Sequence, residues 1–248
     1  MMESTIKVRL QFLHTALQWA AGQKLIPECP RFPAVKPPKK KPQLVAGESV
    51  EKLLDKAPDK QTRVFLLCGW LAGMRLSEAY ALEWEETEEA PWVDFGRDRI
   101  VFPAAFVKAV EDQWVPLDAQ LREALEGLPR AVKRVFHFPS ERGERLTANG
   151  VSTLVQKLAR KAGLRLTMKS LRRGFGCYYA ARVSAHALQK LMRHANIKTT
   201  MDYYANIDDA VQDAVRQRNS SRNSRPRIDA AGGRAADVTP LQGSPSSP

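Results

Sequence analysis

Four separated polar clusters in this sequence carry side chains that bind phosphate or attack it. They are Arg75 with Glu78, Lys108, Lys169 with Arg172, and His194 with Tyr203 nine residues later. A guanidinium group binds phosphate through two parallel hydrogen bonds. A tyrosine hydroxyl acts as a covalent nucleophile when its neighbours offset its high pKa. Together these residue types suit a site that holds one phosphodiester while a tyrosine attacks it.

The order and spacing of these clusters, over Leu44 to Asn206, resemble the tyrosine recombinase (phage integrase) family of site-specific DNA recombinases. The most specific piece is Leu191–Tyr203, which is similar to the Leu-Gly-His…Thr-Thr…Tyr segment of that family, with Arg193 where glycine is usual. Ala72 stands where the family often has threonine or serine. The resemblance implies an α+β, mostly helical catalytic domain with a small three-stranded antiparallel sheet.

The resemblance also implies how the charged residues divide the work on the phosphodiester. Arg75 and Arg172 would bind its two non-bridging oxygens, where negative charge develops during transfer. Glu78 would orient this shell by pairing with an arginine, and His194 would hydrogen-bond a non-bridging oxygen. No metal ion and no cofactor is expected, because the cationic side chains neutralise the charge.

The same resemblance assigns the roles of nucleophile and of proton transfer to a tyrosine and two lysines. Tyr203, rather than the adjacent Tyr204, would attack phosphorus and form a 3′-phosphotyrosine link. Lys108, at the turn between the second and third strands, would protonate the leaving 5′-oxygen. Lys169, three residues before Arg172, stands where histidine is most often found. It would accept the tyrosine proton only if its neighbours depress its pKa, and would otherwise contact phosphate.

Most of these residues also have an ordinary structural explanation. Arg75 and Glu78 could form a helix-surface ion pair that contributes at most about 1 kcal/mol. Lys108 could be an exposed hairpin lysine, and His194 could cap helix carbonyls. Tyr203 could be a buried aromatic residue with its hydroxyl paired. The complete ordered set favours the catalytic interpretation over these single explanations.

The charge balance favours a polyanionic partner. The chain of 248 residues has 39 Lys+Arg against 27 Asp+Glu, a net charge of +12 and a pI near 9.8. Double-stranded DNA is the expected partner, and the alternative is a basic protein with no role on nucleic acid. The backbone-binding candidates are Arg173, Lys39, Lys40 and Lys41. The resemblance implies a homotetramer on DNA.

The cysteines and the hydropathy pattern predict an intracellular protein of the cytoplasm, and the resemblance implies that it is associated with DNA. Cys29, Cys68 and Cys177 have no metal-binding spacing. Cys68 and Cys177 lie in apolar helical runs and are expected to be buried free thiols. No apolar run is long enough to cross a bilayer, so no membrane partner is expected.

Proline, charge and apolar patterns divide the chain into four segments. Residues 1–26 are expected to be the terminal helix of a truncated core-binding domain, with the helix itself over 5–21. Residues 27–43 are predicted to be a basic, proline-rich linker. Residues 44–218 form the predicted catalytic domain, and 219–248 a disordered tail.

Within the catalytic domain, β-branched and aromatic runs predict three strands, and apolar periodicity predicts the helices. The strands are expected at 91–95, 99–102 and 113–117. The helices are expected at 48–56, 60–72, 119–128, 148–162, 169–182, 185–194, 198–205 and 207–217.

The sequence therefore predicts a site-specific DNA recombinase that cleaves and rejoins strands through a 3′-phosphotyrosine intermediate. A type IB topoisomerase carries a similar residue set, although the Thr199-Thr200…Tyr203 segment favours the recombinase. An inactive DNA-binding remnant of a mobile element is the third possibility. A covalent protein–DNA adduct would separate the enzymes from the remnant.

Overall fold

A computed structural model describes residues 3–35, 44–107 and 109–204. Several sequence predictions lie outside these described residues. They are Lys39, Lys40, Lys41, Lys108, the helix over 207–217 and the tail over 219–248. The boundaries of the four predicted segments stay predictions.

The described chain is mostly helical with one small sheet, which confirms the predicted α+β class. The helices are α1 Glu3–Gly22, α2 Gly47–Leu54, α3 Lys60–Leu71, α4 Leu76–Ala81, α5 Ala104–Val107, α6 Ala119–Glu126, α7 Ala148–Lys161, α8 Met168–Ala180 and α9 Ala185–Met192. A tenth helix, α10, covers 197–204. The strands are β1 Trp92–Asp94, β2 Arg99–Phe102 and β3 Gln113–Pro116.

The three strands form an antiparallel sheet in the order β1-β2-β3. Ile100 at the centre pairs with Val93 on one side and Val115 on the other. These three side chains are buried, while Trp114 on the third strand is exposed. Alternate residues of a strand point to opposite faces, so one face of the sheet covers the core.

Helix α3 lies at the centre of the core and packs against α8, the helix that contains Arg172. Its residues are apolar on most sides, and Asp59 caps its first turn by accepting from the Thr62 amide. Phe65 packs edge-on against Phe136 and Phe138, with ring centroids 5.2 and 5.1 Å away. On another side, α8 packs closely against α3.

Two short helices were missed by the sequence patterns. Helix α4 follows Arg75, and α5 lies between β2 and β3, where only a turn beside Lys108 was expected. Pro103 precedes α5, and the Asp112 carboxylate accepts from the Ala104 amide at 2.8 Å, which fixes the start of this single turn. The connection between the strands is therefore longer than the predicted turn at 109–112.

The N-terminal helix is slightly longer than the predicted 5–21. Residues 27–35, after it, form neither helix nor strand. Phe12 and Trp19 on α1 are 73% and 64% exposed. Among the described residues, no helix is both long and apolar enough to cross a membrane.

Replacing Phe65 with alanine should lower the free energy of unfolding by about 3–5 kcal/mol. The ring is fully buried among two other aromatic rings, so its removal leaves a cavity. Urea unfolding followed by circular dichroism measures the change. The matched control is Phe12→Ala, which removes an exposed ring and should change stability by no more than about 0.5 kcal/mol. Equal losses in the two variants would contradict this description of the core.

Candidate active site

Arg75 lies at the start of α4, immediately after a tight turn. Gly73 has a φ of +57°, and a Cβ there would lie 2.5 Å from the Phe175 ring, so this turn requires glycine. The Arg75 amide donates to Glu78 Oε2 at 2.7 Å, and its guanidinium donates to Oε1 at 2.5 Å. Glu78 is 2% exposed. Its carboxylate therefore fixes both the backbone and the side chain of Arg75.

Arg172 reaches the same place from α8. Thr167 caps this helix by accepting from the Ser170 amide. The Arg172 guanidinium donates to the carbonyl oxygens of Gly73 and Met192, and lies 3.7 Å from Glu78 Oε2. Only 6% of the residue is exposed. Arg172 thus links the turn before α4 to the end of α9.

Arg193 is a member of this cluster to which the sequence assigned no role. It ends α9 in the left-handed conformation, with φ and ψ both 50°. This conformation favours glycine, which is the usual family residue there. Its guanidinium donates to Glu78 Oε2 at 2.8 Å and to the Gly73 carbonyl at 3.1 Å. The only sequence sign of this contact is a basic residue directly before His194.

His194 and Tyr203 lie beside the arginine cluster. His194 Nδ1 is 3.0 Å from the Thr200 hydroxyl, and its ring centroid is 5.9 Å from that of Tyr203. Tyr203 is 8% exposed and packs on Gly176, where a Cβ would overlap the ring. The structure therefore brings Arg75, Arg172, His194 and Tyr203 together.

The neighbouring Tyr204 is oriented differently. Its hydroxyl donates to the Val183 carbonyl at 2.6 Å. Among the described residues, the Tyr203 hydroxyl has no such partner. The two adjacent hydroxyls therefore differ in their contacts, whereas the sequence distinguished the two tyrosines only by their spacing from His194.

The two lysines and Arg173 are less closely tied to the cluster. Lys169 is exposed on the first turn of α8, and its side chain forms no hydrogen bond or ion pair with another described residue. Arg173 is partly exposed on the same helix. The roles predicted for Lys169 and Arg173 stay predictions, as does that of Lys108, which lies outside the described residues.

The charges of the cluster shift the protonation of its members. Burial alone would raise the pKa of Glu78, but the charges of Arg193, Arg172 and Arg75 outweigh it and lower that pKa to about 2. Burial, with the charge of Arg193, lowers the pKa of Arg172 to about 9. Arginine side chains stay protonated in proteins, so at neutral pH the cluster contains one carboxylate and three guanidinium cations.

The histidine and the tyrosine are both neutral at pH 7. Burial and the charges of Arg172, Arg75 and Arg193 lower the pKa of His194 to about 4. Burial raises the pKa of the Tyr203 hydroxyl, and the charge of Arg172 acts in the opposite direction. Tyr203 therefore needs a proton acceptor before it can attack.

A cavity of about 780 Å³ adjoins the cluster. Residues 109–114 and 116, around the start of β3, line one side, and α9 lines the other. Lys190 and His194 contribute to its wall. Within the described ranges, no three His, Cys, Asp or Glu residues are grouped so that they could hold a metal ion. Cys68 and Cys177 are buried, as predicted, and neither forms a disulfide with another described residue.

Stability should fall as pH drops from about 6.5 to about 4, because His194 titrates at about 4 in the folded protein and near 6.5 when unfolded. In that window the unfolded chain binds a proton that the folded chain excludes. Nuclear magnetic resonance titration of the His194 ring gives the folded pKa directly. His194→Gln should remove this part of the pH dependence of urea unfolding. A folded pKa near 6.5 would contradict the proposed proximity of the three arginines.

Two curated recombinases are similar to this chain. Tyrosine recombinase XerA of Thermococcus onnurineus (strain NA1) is 30% identical over 179 residues, which cover 68% of this chain and 60% of the relative. XerA of Thermococcus kodakarensis is 28% identical over 184 residues, 71% of this chain and 62% of the relative. The chain thus spans about three fifths of the length of these relatives.

Solved structures share the fold at lower sequence identity. The Tn1549 transposon integrase in complex with transposon right end DNA gives a TM-score of 0.64 at 19% identity, over 87% of this chain and 80% of that one. The XerA recombinase gives 0.56 at 20%, over 77% and 68%. The model of the phage integrase family matches residues 43–210. That match covers more than half of the sequence, and this chain therefore belongs to the phage integrase family.

Proposed function

We propose that this chain is a site-specific DNA recombinase that cleaves and rejoins DNA strands through a covalent link to Tyr203. The observation that carries the proposal is the convergence of Arg75, Arg172 and His194 beside a buried tyrosine whose hydroxyl forms no hydrogen bond with another described residue. Family membership supports the same reaction class. The extent of the catalytic domain, 44–218, belongs to the proposal.

The cluster suits a phosphodiester because its net charge is positive. Three guanidinium cations outnumber the single carboxylate. Among the three arginines, Arg75 has the most accessible side chain, at 44% exposure, against 8% for Arg172. Arg75 would therefore meet a non-bridging oxygen first. Arg172 would hold the second oxygen from its fixed position.

His194 is well placed to donate to a non-bridging oxygen. The Thr200 hydroxyl lies 3.0 Å from Nδ1. When that hydroxyl donates to Nδ1, the neutral ring carries its proton on Nε2. Neutral imidazole is the form that burial and the arginines favour at pH 7. His194 would thus act as a hydrogen-bond donor without adding a charge.

The chemical step exchanges one ester bond for another. The Tyr203 oxygen attacks phosphorus, the bond from phosphorus to the 5′-oxygen breaks, and a 3′-phosphotyrosine bond forms. The phenol proton passes to an acceptor, for which the neutral amine form of Lys169 is the candidate, and the ammonium form of Lys108 protonates the leaving 5′-oxygen. Attack by a 5′-hydroxyl reverses the step, so no energy source is consumed.

The partner in this proposal is double-stranded DNA, with a homotetramer as the assembly. The net charge of +12 supports a polyanionic partner. Lambda integrase, which shares the fold with a TM-score of 0.61, was solved as a dimer bound to a core site. Arg173 and Lys39, Lys40 and Lys41 are the proposed contacts to the DNA backbone.

Tyr203→Phe should abolish formation of a covalent adduct with a nicked substrate and leave DNA binding unchanged. Phenylalanine keeps the ring on Gly176 but lacks the attacking oxygen. Denaturing gel electrophoresis detects the adduct, and a gel shift measures binding. The matched control is Tyr204→Phe, which loses the bond to Val183 but should still form the adduct.

Three results would count against this proposal. If Tyr203→Phe forms the adduct and Tyr204→Phe does not, the nucleophile is Tyr204 and the proposed assignment is wrong. DNA binding without any adduct from the unmodified protein would favour the inactive remnant. Supercoil relaxation without strand exchange would favour the topoisomerase.

Lys169→Ala should slow cleavage by roughly 10²–10⁴-fold if the lysine takes part in proton transfer. Lys169→His should keep most activity and move the pH optimum downward, because imidazole titrates below an ammonium group. Single-turnover cleavage against pH measures both effects. Lys161→Ala, which removes an exposed lysine from the end of α7, is the control. An unchanged rate for Lys169→Ala would show that this lysine has no role in the reaction.

A further inference from the structure

The Arg193 side chain is enclosed by the cluster rather than presented to a ligand. Its side chain has no exposed surface, whereas that of Arg75 is 44% exposed. The guanidinium lies 4.0 Å from the centre of the Phe102 ring and donates to the Leu191 carbonyl at 3.0 Å. Arg193 therefore does not reach a phosphate, and any effect it has on one passes through its neighbours.

The most direct of those neighbours is the Glu78 carboxylate. The Arg193 guanidinium donates to Oε2 at 2.8 Å, and the Arg75 guanidinium donates to Oε1 at 2.5 Å. Arg172 is left at 3.7 Å from Oε2 and is held mainly by backbone carbonyls. Both carboxylate oxygens are bound by guanidinium groups, and Oε2 also accepts from the Arg75 amide at 2.7 Å. The carboxylate therefore has a single orientation, and that orientation sets the position of the Arg75 side chain.

The backbone at the end of α9 contributes to the same arrangement. The left-handed turn at Arg193 directs its carbonyl to Arg75 Nη2 at 3.3 Å, and the preceding Met192 carbonyl accepts from Arg172. The Arg193 side chain donates hydrogen bonds to the Glu78 carboxylate and the Gly73 carbonyl. One residue thus connects the turn before α4, the carboxylate and the segment that leads to His194.

We propose that Arg193 is a positioning residue that locks Glu78, and through Glu78 the guanidinium of Arg75, in the orientation that receives the phosphodiester. This inference rests on the proposed strand-transfer function. Burial of an ion pair is weak evidence that it serves stability, because apolar replacements of buried ion pairs are often neutral or stabilising. A left-handed backbone would also favour glycine over arginine.

The first test compares variants at Arg193 in single-turnover cleavage and in DNA binding. Arg193→Met keeps an unbranched side chain but removes the charge and its hydrogen bonds, and should slow cleavage about 10- to 100-fold through misplacement of Arg75. The dissociation constant for DNA should change less than about twofold, because the side chain is unexposed. Arg193→Lys, which restores the charge, should recover part of the rate.

Two further variants separate the effect of the Arg193 guanidinium from that of its backbone conformation and from that of losing an arginine that covers an aromatic ring elsewhere. Arg193→Gly relieves the left-handed backbone and should be as slow as Arg193→Met if the side chain matters. Arg182→Met is the matched control, because Arg182 also covers an aromatic ring, Tyr178, and donates to its carbonyl, but lies outside the cluster. Cleavage by Arg182→Met should equal that of the unmodified protein.

A double-variant cycle tests whether the effect passes through Glu78. If it does, Glu78→Gln with Arg193→Met should be no slower than Glu78→Gln alone, since the carboxylate that Arg193 positions is already absent. The paired variant also removes both buried charges together, which protects folding. If the double variant shows the product of the two single-variant losses in cleavage rate, the inference is overturned. A cleavage rate for Arg193→Met or Arg193→Gly equal to that of the unmodified protein would overturn it as well.

A measurement without DNA keeps the inference separate from the proposed function. Carbon-13 resonance of the Glu78 carboxyl group gives its pKa, which is about 2 with Arg193 present and should rise in Arg193→Met. An unmodified protein that forms no adduct would contradict the proposed function. A Glu78 pKa that does not change in Arg193→Met would overturn the inference itself, whether or not the protein cleaves DNA.

Discussion

The buried carboxylate of Glu78 is the interaction on which the rest of the site depends. A charge that is taken out of water destabilises a protein unless it is paired and hydrogen-bonded. Here the pairing comes from Arg75, Arg172 and Arg193, whose cationic charges converge on one acidic group from three separate parts of the chain. Folding therefore assembles a cationic site, because the carboxylate is satisfied only when the three segments have met.

The core and the backbone turns supply the geometry that this carboxylate requires. Helix α8 brings Arg172 to the site by packing against α3, and Gly69 permits a close approach, since a Cβ there would lie 2.9 Å from Met168 Cε. The positive φ values of Gly73 and Arg193 turn the chain at the two points where carbonyl oxygens must accept from arginines. The same packing places Tyr203 on Gly176, beside His194.

Sequence patterns predicted the long elements well, because their apolar residues repeat with the period of the structure. Helices α4 and α5 were missed since six and four residues are too short to show a period. The sequence indicated Arg75, Arg172, His194 and Tyr203 as a set, but not the contacts of Arg193, because spacing does not reveal whether a side chain is buried. The sequence could not show that the hydroxyls of Tyr203 and Tyr204 differ, because the hydrogen bond from Tyr204 to the Val183 carbonyl is created only by the fold.

The most direct test of the account is cleavage of a substrate in which a neutral methylphosphonate replaces the phosphate at the cleavage point. If the cluster acts by neutralising charge on the non-bridging oxygens, Arg75→Ala should cleave the ordinary phosphate about 10²–10³-fold more slowly than the unmodified protein. The same variant should recover most of that loss on the methylphosphonate, where one negative charge is already absent. An equal loss on both substrates would contradict the account.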